Sequence, residues 1–281
     1  MNNILHLINT ASKKLKKKNI ASYRMDPEIL LSSILGRERE KVLINLDKKI
    51  SSRKIIKFNN LINRRLIREP VAYILNEREF WSKKFFVNKH TLVPRPETEL
   101  LVEKLIKIYQ NKKINILDIG TGSGCIIISM LSEMEGSSGI GIDISTKAID
   151  IAEKNAKIHK MSRNVKFIKI CLTKIINKKF DLVVSNPPYI ESAEIKKLDD
   201  DIKNFEPIIA LNGGNDGLDV IKKVIYKAKY ILKLNGKLAI EIGNKQHLKV
   251  SEILKKNNFK IIKTIKDFKD NVRCFISQKI K

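Results

Sequence analysis

Three observations predict an α/β protein built on a mostly parallel, seven-stranded sheet with a small helical domain in front of it. Short apolar strands alternate with amphipathic helices from about residue 114 onward. A glycine-rich turn, Gly120 to Gly124, follows the first of those strands. The first 70 or so residues carry helical spacing and no strand signal. The expected organisation is a helical domain over 1–75, a β-hairpin linker over 76–92 and the α/β domain over 93–281.

The helical part opens with apolar residues at near-helical spacing from Ile4 to Leu15. Asp26-Pro27 then reads as an N-cap and first helical position ahead of Glu28 to Leu31, with Gly36 as the stop. Ser51-Ser52 is expected to cap an amphipathic helix through Ile55, Phe58, Ile62 and Leu66. The stretch Glu79 to Val87 is aromatic and β-prone around a polar centre, as a hairpin requires. Pro96 is set to begin a helix over Glu97 to Tyr109, with Glu97 and Glu99 favouring its positive end.

Strands are expected at Ile114–Ile119, Ile140–Asp143, Val165–Ile170, Phe180–Ser185 and Leu238–Ile242. Helices fit between them at about 124–134, 145–160, 217–233 and 245–257. Two last strands, Phe259–Thr264 and Val272–Ser277, read as an antiparallel pair.

The 281 residues suffice for a sizeable core, and no apolar run reaches the ~18 to 20 residues of a membrane span. Three cysteines far apart, with no CxxC, suit a reducing cytoplasm, and the four histidines are equally dispersed, so no metal site is expected. A formal charge of +26 invites a nucleic-acid reading. The excess is mostly Lys, however, spread along the whole chain, and Arg, the usual reader of bases and phosphates, is scarce. A soluble, cytoplasmic monomer without direct nucleic-acid binding is expected.

The chemistry concentrates at two turns. Asn186-Pro187-Pro188-Tyr189 closes the strand Phe180–Ser185, and neither proline can extend a ladder. The chain therefore leaves as a stiff loop at the strand's carboxyl end, where open α/β sheets bind ligands. The loop offers an amide side chain, backbone carbonyls and an aromatic ring, a set that suits a flat group bearing an NH₂. Asp118-Ile-Gly-Thr-Gly-Ser-Gly124 follows the first strand with GxGxG spacing, which departs from the dinucleotide fingerprint, and no Lys-Ser/Thr pair marks a phosphate loop. Asp143 ends the next strand, where an acid accepts both hydroxyls of a ribose. S-adenosylmethionine fits this set: a ribose for Asp143, an amino-acid end for the glycine loop and Asp118, and no pyrophosphate.

These residues resemble the class I methyltransferases, which are Rossmann-like, and closely resemble the release-factor glutamine methyltransferase family (PrmC, also called HemK). The resemblance rests on Arg78-Glu-Phe-Trp81, Val93-Pro-Arg-Pro-Glu-Thr-Glu99, the glycine loop, Gly141-Ile-Asp-Ile-Ser145 and Ser185-Asn-Pro-Pro-Tyr-Ile190. It continues through Phe205-Glu-Pro207, Ala210 to Leu218 and Glu241-Ile-Gly243. It implies methyl transfer to the side-chain amide nitrogen of the glutamine in the Gly-Gly-Gln motif of bacterial peptide-release factors. It further implies that Asp118, Gly120, Thr121, Gly122, Ser123, Gly124, Asp143, Cys171 and Asn186 bind the cofactor. Asn186, Pro187, Pro188 and Tyr189 would hold the glutamine. Two positions depart from the family pattern. Ile170-Cys171-Leu172 stands where an acidic contact to the adenine is usual, and Asn76 stands where the turn before Arg78 often has Gly. The alternatives are a methyltransferase for an exocyclic amine of a nucleobase, flipped onto Tyr189, and an inert core whose helical domain binds a partner.

Overall fold

The computed structural model describes residues 3–174 and 178–280. Five helices come first: α1 (Ile4–Lys17), α2 (Met25–Leu35), α3 (Arg39–Leu43), α4 (Ser52–Leu66) and α5 (Val71–Leu75). The strands β1 (Glu77–Phe80) and β2 (Lys83–Phe86) precede α6 (Pro96–Ile108). Then come β3 (Asn115–Ile119), α7 (Cys125–Glu133), β4 (Ser138–Asp143), α8 (Thr146–Ile158), β5 (Val165–Lys169) and β6 (Phe180–Ser185). The chain continues through α9 (Asp200–Lys203), α10 (Asp219–Ile231), β7 (Leu232–Glu241), α11 (His247–Lys256), β8 (Phe259–Lys266) and β9 (Val272–Lys279).

The chain divides into two compact units, one of residues up to Asn76 together with Asp199–Phe205, the other of Glu77–Leu198 with Glu206–Lys281. In the first, α1 buries Ile4, Leu7, Ile8, Ala11 and Leu15, the recurrence of one helix face, and the first four of these cluster with Leu30 and Leu31 of α2 and Phe58 and Ile62 of α4. Two expected caps are corrected. Asp26 lies inside α2 instead of capping it: its side chain is buried, accepts from Ser22 at 2.6 Å and pairs with Arg65 at 2.6 Å. Ser51 precedes α4 but makes no side-chain cap bond. Gly36 does close α2, in the left-handed conformation at φ +64°. Asn76 closes α5 the same way at φ +53°, so an asparagine serves where the family often has glycine.

The second unit holds the seven-stranded sheet in the order β5-β4-β3-β6-β7-β9-β8. The five strands β3 to β7 pair in parallel and β9 runs antiparallel between β7 and β8. Strand β7 begins at Leu232, earlier than its apolar run, because Phe180 pairs with Leu232 before a bulge restores the register at Leu182 and Lys237. Alternating side chains build a core on each face. Ile116, Leu182, Val184 and Ala239 pack with α6 and α7, while Leu117, Val183, Leu238 and Ile240 pack with α10 and α11. Trp81 and Ser82, both at φ +53°, form the two-residue turn of the β1–β2 hairpin. The outer-strand β5 is placed by β4, and β3 and β6 lie side by side at the sheet's centre. The connection from β3 runs outward to β4 and that from β6 runs the other way to β7, so the order reverses between β3 and β6. That reversal is where a ligand crevice opens.

Candidate active site

The paired register of Ile119 with Ser185 starts the glycine loop and the Asn186–Tyr189 loop next to each other, and the Ser185 hydroxyl fastens them by donating to the Ile119 carbonyl at 2.7 Å. A cavity of about 750 Å³ opens beyond these strand ends, within the size range of small-molecule sites. Gly120, Thr121, Gly122, Ser123 and Asp143 line one side of it; Asn186 and Pro188 line another. Asp118, Gly124, Cys171, Pro187 and Tyr189 do not line it, although each neighbours a residue that does.

The glycine loop is shaped by left-handed turns. Gly120, Gly122 and Gly124 have φ of +72°, +55° and +78°, a region that side-chain-bearing residues disfavour. A Cβ on Gly120 would meet nothing within 4 Å, so bare backbone faces open space there. At Gly124 it would crowd Ile128, Phe167 and Ala152 at 3.0 to 3.3 Å, so this glycine serves the packing of α7 and α8 on the sheet. The carboxylate of Asp143 accepts from the Gly122 N–H at 3.0 Å and the Ser145 N–H at 2.9 Å. Those two bonds fix it at the rim and leave lone pairs for a diol. Asp118 is fully buried beneath the loop. Thr121 donates to its Oδ2 at 2.7 Å, while Oδ1 has no partner among the described residues. Burial pushes its carboxyl up to about 7, against the Thr121 bond and helped by the nearby charge of Asp143.

On the other side, Asn186 Nδ2 donates to Thr98 Oγ1 at 3.3 Å, and the Thr98 hydroxyl donates to Glu241 Oε2 at 2.7 Å. Tyr189 turns its hydroxyl to Glu241 Oε1 at 3.5 Å, and its carbonyl accepts from Gln246 Nε2 at 2.9 Å. Glu241 is buried, and burial raises its carboxyl to about 6, opposed by the Thr98 hydroxyl and the positive Arg273. The segment Ala210 to Leu218 clamps the loop from outside: Ile190 donates to the Leu211 carbonyl at 3.0 Å and Gly213 donates to the Ile190 carbonyl at 2.8 Å. Arg95, on the cavity wall, pairs with the buried Glu206 at 2.7 Å, and Glu206 also accepts from the Val93 N–H at 3.4 Å. Burial raises the Glu206 carboxyl, and the Arg95 charge opposes the rise. Arg78 of the hairpin donates to the Pro94 carbonyl at 3.3 Å, so Arg78, residues 93–95 and Glu206 meet at one wall.

The departure at 170–172 is resolved as an apolar wall. Ile170 and Leu172 line the cavity, while Cys171 points outward to Thr173 at 3.2 Å. Cys125 also lines the cavity, but burial pushes its thiol up to about 12, so it is no nucleophile. Two residues important to the site were missed in the sequence. Thr98 falls in register with Leu101, Val102 and Leu105, and Asn155 with Ala148, Ile151 and Ala152, so each is a polar residue on an apolar helix face. Asn155 is fully buried; its oxygen accepts from the Phe86 N–H at 2.7 Å, and its nitrogen donates to the carbonyls of Phe86 at 3.0 Å and Ser123 at 2.8 Å. It ties the hairpin to the glycine loop.

The sheet order and the site at its reversal define a Rossmann-like methyltransferase fold. A methyltransferase from Pyrococcus furiosus shares it at a TM-score of 0.55 and 19% identity, over 79% of this chain and all of that one. Residues 6–75 match the PrmC N-terminal domain and residues 96–205 the methyltransferase small domain. The release factor glutamine methyltransferase of Buchnera aphidicola subsp. Schizaphis graminum is 42% identical over 99% of both chains. A bifunctional methyltransferase of Rickettsia conorii is 36% identical over 97% of this chain, which spans 57% of that longer protein. The chain belongs to the release factor glutamine methyltransferase family.

Proposed function

We propose that the protein transfers a methyl group from S-adenosylmethionine to the side-chain amide nitrogen of the glutamine in the Gly-Gly-Gln motif of bacterial peptide-release factors. The observation that carries this reading is Asn186. It lines the cavity, its amide nitrogen is held by Thr98, and among the described residues nothing donates to its oxygen.

The residues fit the cofactor. Gly120 offers bare backbone to open space, Asp143 keeps lone pairs for the ribose hydroxyls, and the orphaned Oδ1 of Asp118 suits an ammonium group. Ile170 and Leu172 supply an apolar wall for the adenine, in place of an acidic contact. When bound, S-adenosylmethionine supplies a methyl group already activated on a sulfonium.

The protein's own task is positioning, because a carboxamide nitrogen is a weak nucleophile whose lone pair is delocalised into its carbonyl. Asn186 Oδ1 and the Pro187 carbonyl accept the two amide protons and hold the nitrogen in line. The two prolines keep that carbonyl stiff. Tyr189 anchors the loop through Glu241 and Gln246. The nitrogen would gain positive charge as its bond to the methyl carbon forms and the methyl–sulfur bond breaks, and would then lose a proton to solvent, so no strong base is needed. The helical unit of residues 1–75 recognises the release factor. The protein works as a cytoplasmic monomer without direct nucleic-acid binding; among the described residues, no helix is long and apolar enough to cross a membrane.

The test is labelled methyl transfer to a release factor, beside its Gly-Gly-Gln glutamine variant and bare DNA. Label on the intact factor alone is expected. Label on DNA would instead establish a nucleobase amine as acceptor. Asn186→Ala should lower turnover by on the order of a hundredfold with cofactor affinity changed only modestly; equal loss of both would overturn the role given to Asn186.

A further inference from the structure

An asparagine amide is an acceptor at one end and a double donor at the other, so the end that faces the cavity decides what it can hold. For Asn186 that choice is made two residues away in space. Its Nδ2 donates to Thr98 Oγ1 at 3.3 Å, and the Thr98 hydroxyl donates to Glu241 Oε2 at 2.7 Å. An ionised carboxylate has no proton and can only accept. The Thr98 hydroxyl must therefore commit its single proton to Glu241, which leaves its oxygen to accept from Asn186. The N–H end of the amide is drawn to Thr98 and the oxygen is left over. Thr98 and Glu241 are 2% and 1% exposed, which keeps bulk water from loosening the sequence of donors.

We propose that Thr98 and Glu241 are positioning residues that lock Asn186 with its oxygen toward the substrate, and so select glutamine over glutamate at the acceptor position. The proposal rests on the role given to Asn186 above. A glutamine amide brings the two N–H donors that this oxygen and the Pro187 carbonyl need. A glutamate carboxylate brings only acceptors, against an acceptor and toward a buried negative charge. A deamidated factor would be rejected before any chemistry.

Protonation of Glu241 dissolves the lock. A neutral carboxyl can donate to Thr98, the Thr98 hydroxyl can then donate to Asn186, and the amide is free to turn over. The groups facing Glu241 are Thr98 and Glu97 from α6, Tyr189 from the loop after β6, and Arg273 and Cys274 from β9. Arg273 favours the ionised form and Glu97 opposes it.

Three variants of the full-length protein test this: Thr98→Val, which keeps the shape and loses the hydroxyl, Thr98→Ser, which restores it, and Glu241→Gln, which removes the charge. Four quantities are read: kcat and KM for the release factor across pH, inhibition by a factor carrying Gly-Gly-Glu, cofactor affinity by calorimetry, and solvent exchange of the Asn186 side-chain amide protons by NMR. Thr98→Val should lose roughly tenfold or more in kcat, with cofactor affinity within about twofold, and Thr98→Ser should recover most of it. Wild-type kcat should fall below about pH 6, and Glu241→Gln should lack that acid limb. The Asn186 amide protons should exchange slowly in the wild type and quickly in Thr98→Val. The Gly-Gly-Glu factor should inhibit Glu241→Gln better than the wild type. Unchanged exchange and kcat in Thr98→Val, or an acid limb that persists in Glu241→Gln, overturns the proposal. If the wild type labels no release factor the functional reading fails instead, and amide exchange alone still decides whether the lock exists.

Discussion

Asp118 and Asp143 show how two carboxylates a short distance apart along one sheet edge take different properties from their surroundings. Asp143 sits at the rim with two backbone N–H donors, so its charge is solvated by the protein and open to a ligand. A charge-assisted bond of this kind is worth about 1.5 to 3 kcal/mol, so Asp143→Ala should weaken S-adenosylmethionine binding by roughly ten- to a hundredfold in calorimetry. Retained affinity would remove Asp143 as the ribose ligand. Asp118 is buried, and its carboxyl stands at about 7 against an ordinary value of 3.8. Because its pKa in the folded state lies above the unfolded one, the folded protein holds the extra proton between those limits. Its contribution to stability is complete below pH 3.8 and is lost as pH rises through about 7. Asp118→Asn should therefore melt higher than the ligand-free wild type at pH 8, for a gain in unfolding free energy on the order of a few kcal/mol, and match it near pH 4. A melting difference independent of pH would show that Asp118 is ionised throughout.

At the scale of elements, the site is a meeting of loops whose shape is imposed from outside. The Asn186–Tyr189 loop begins as the end of a buried strand, but its course is set by the segment Ala210 to Leu218. A Cβ on Gly213 would lie 2.6 Å from the Gly217 carbonyl oxygen and 2.8 Å from Tyr189 Cα. Both obstacles are backbone, which cannot rotate away as a side chain can. Gly213→Ala should therefore push the loop off its position, lowering turnover by about tenfold or more and stability by about 1 to 3 kcal/mol. Activity assays beside thermal melts measure this, and a silent substitution would mean that the clamp yields. The strand β3, the glycine turn and the helix α7 were legible in order because an apolar strand, the glycines and a second apolar run lie within one short stretch of chain. The clamp was visible only as a glycine-rich motif, since nothing local says that it closes over a loop two dozen residues earlier.

At the scale of the whole molecule, the segment Asp199–Phe205 joins the helical unit although it lies far along the chain from α1 to α5. Arg65 shows what holds it. The Arg65 side chain, 5% exposed, bonds Asp26 at 2.6 Å and Asp201 at 2.7 Å. A buried ion pair adds little over an apolar replacement, yet removing one partner strands the other's charge. Arg65→Ala should cost about 3 to 5 kcal/mol in urea unfolding of the full chain, and Asp26→Leu with Arg65→Met together should cost much less. Equal costs for the two would show that Asp26 is solvated after all.

The α/β class, the succession of strands and longer helices from residue 114 onward, the glycine turn and the Asn-Pro-Pro-Tyr loop were all legible in the sequence, whereas the short helices α3, α5 and α9 were not. Each legible feature is a local pattern, set by periodicity or by the restricted backbone of glycine and proline. Tertiary structure alone decided which way the polar groups face. It made Asp26 an ion-pair partner instead of a cap, turned Cys171 outward and Ile170 inward, and aimed Tyr189 at Glu241. It also brought Thr98 between Asn186 and Glu241, which lie 88 and 143 positions from it along the chain. Burial raises the price of an unpaired polar group, so the partner that satisfies it is chosen by whatever the fold brings near, and no stretch of sequence records that proximity.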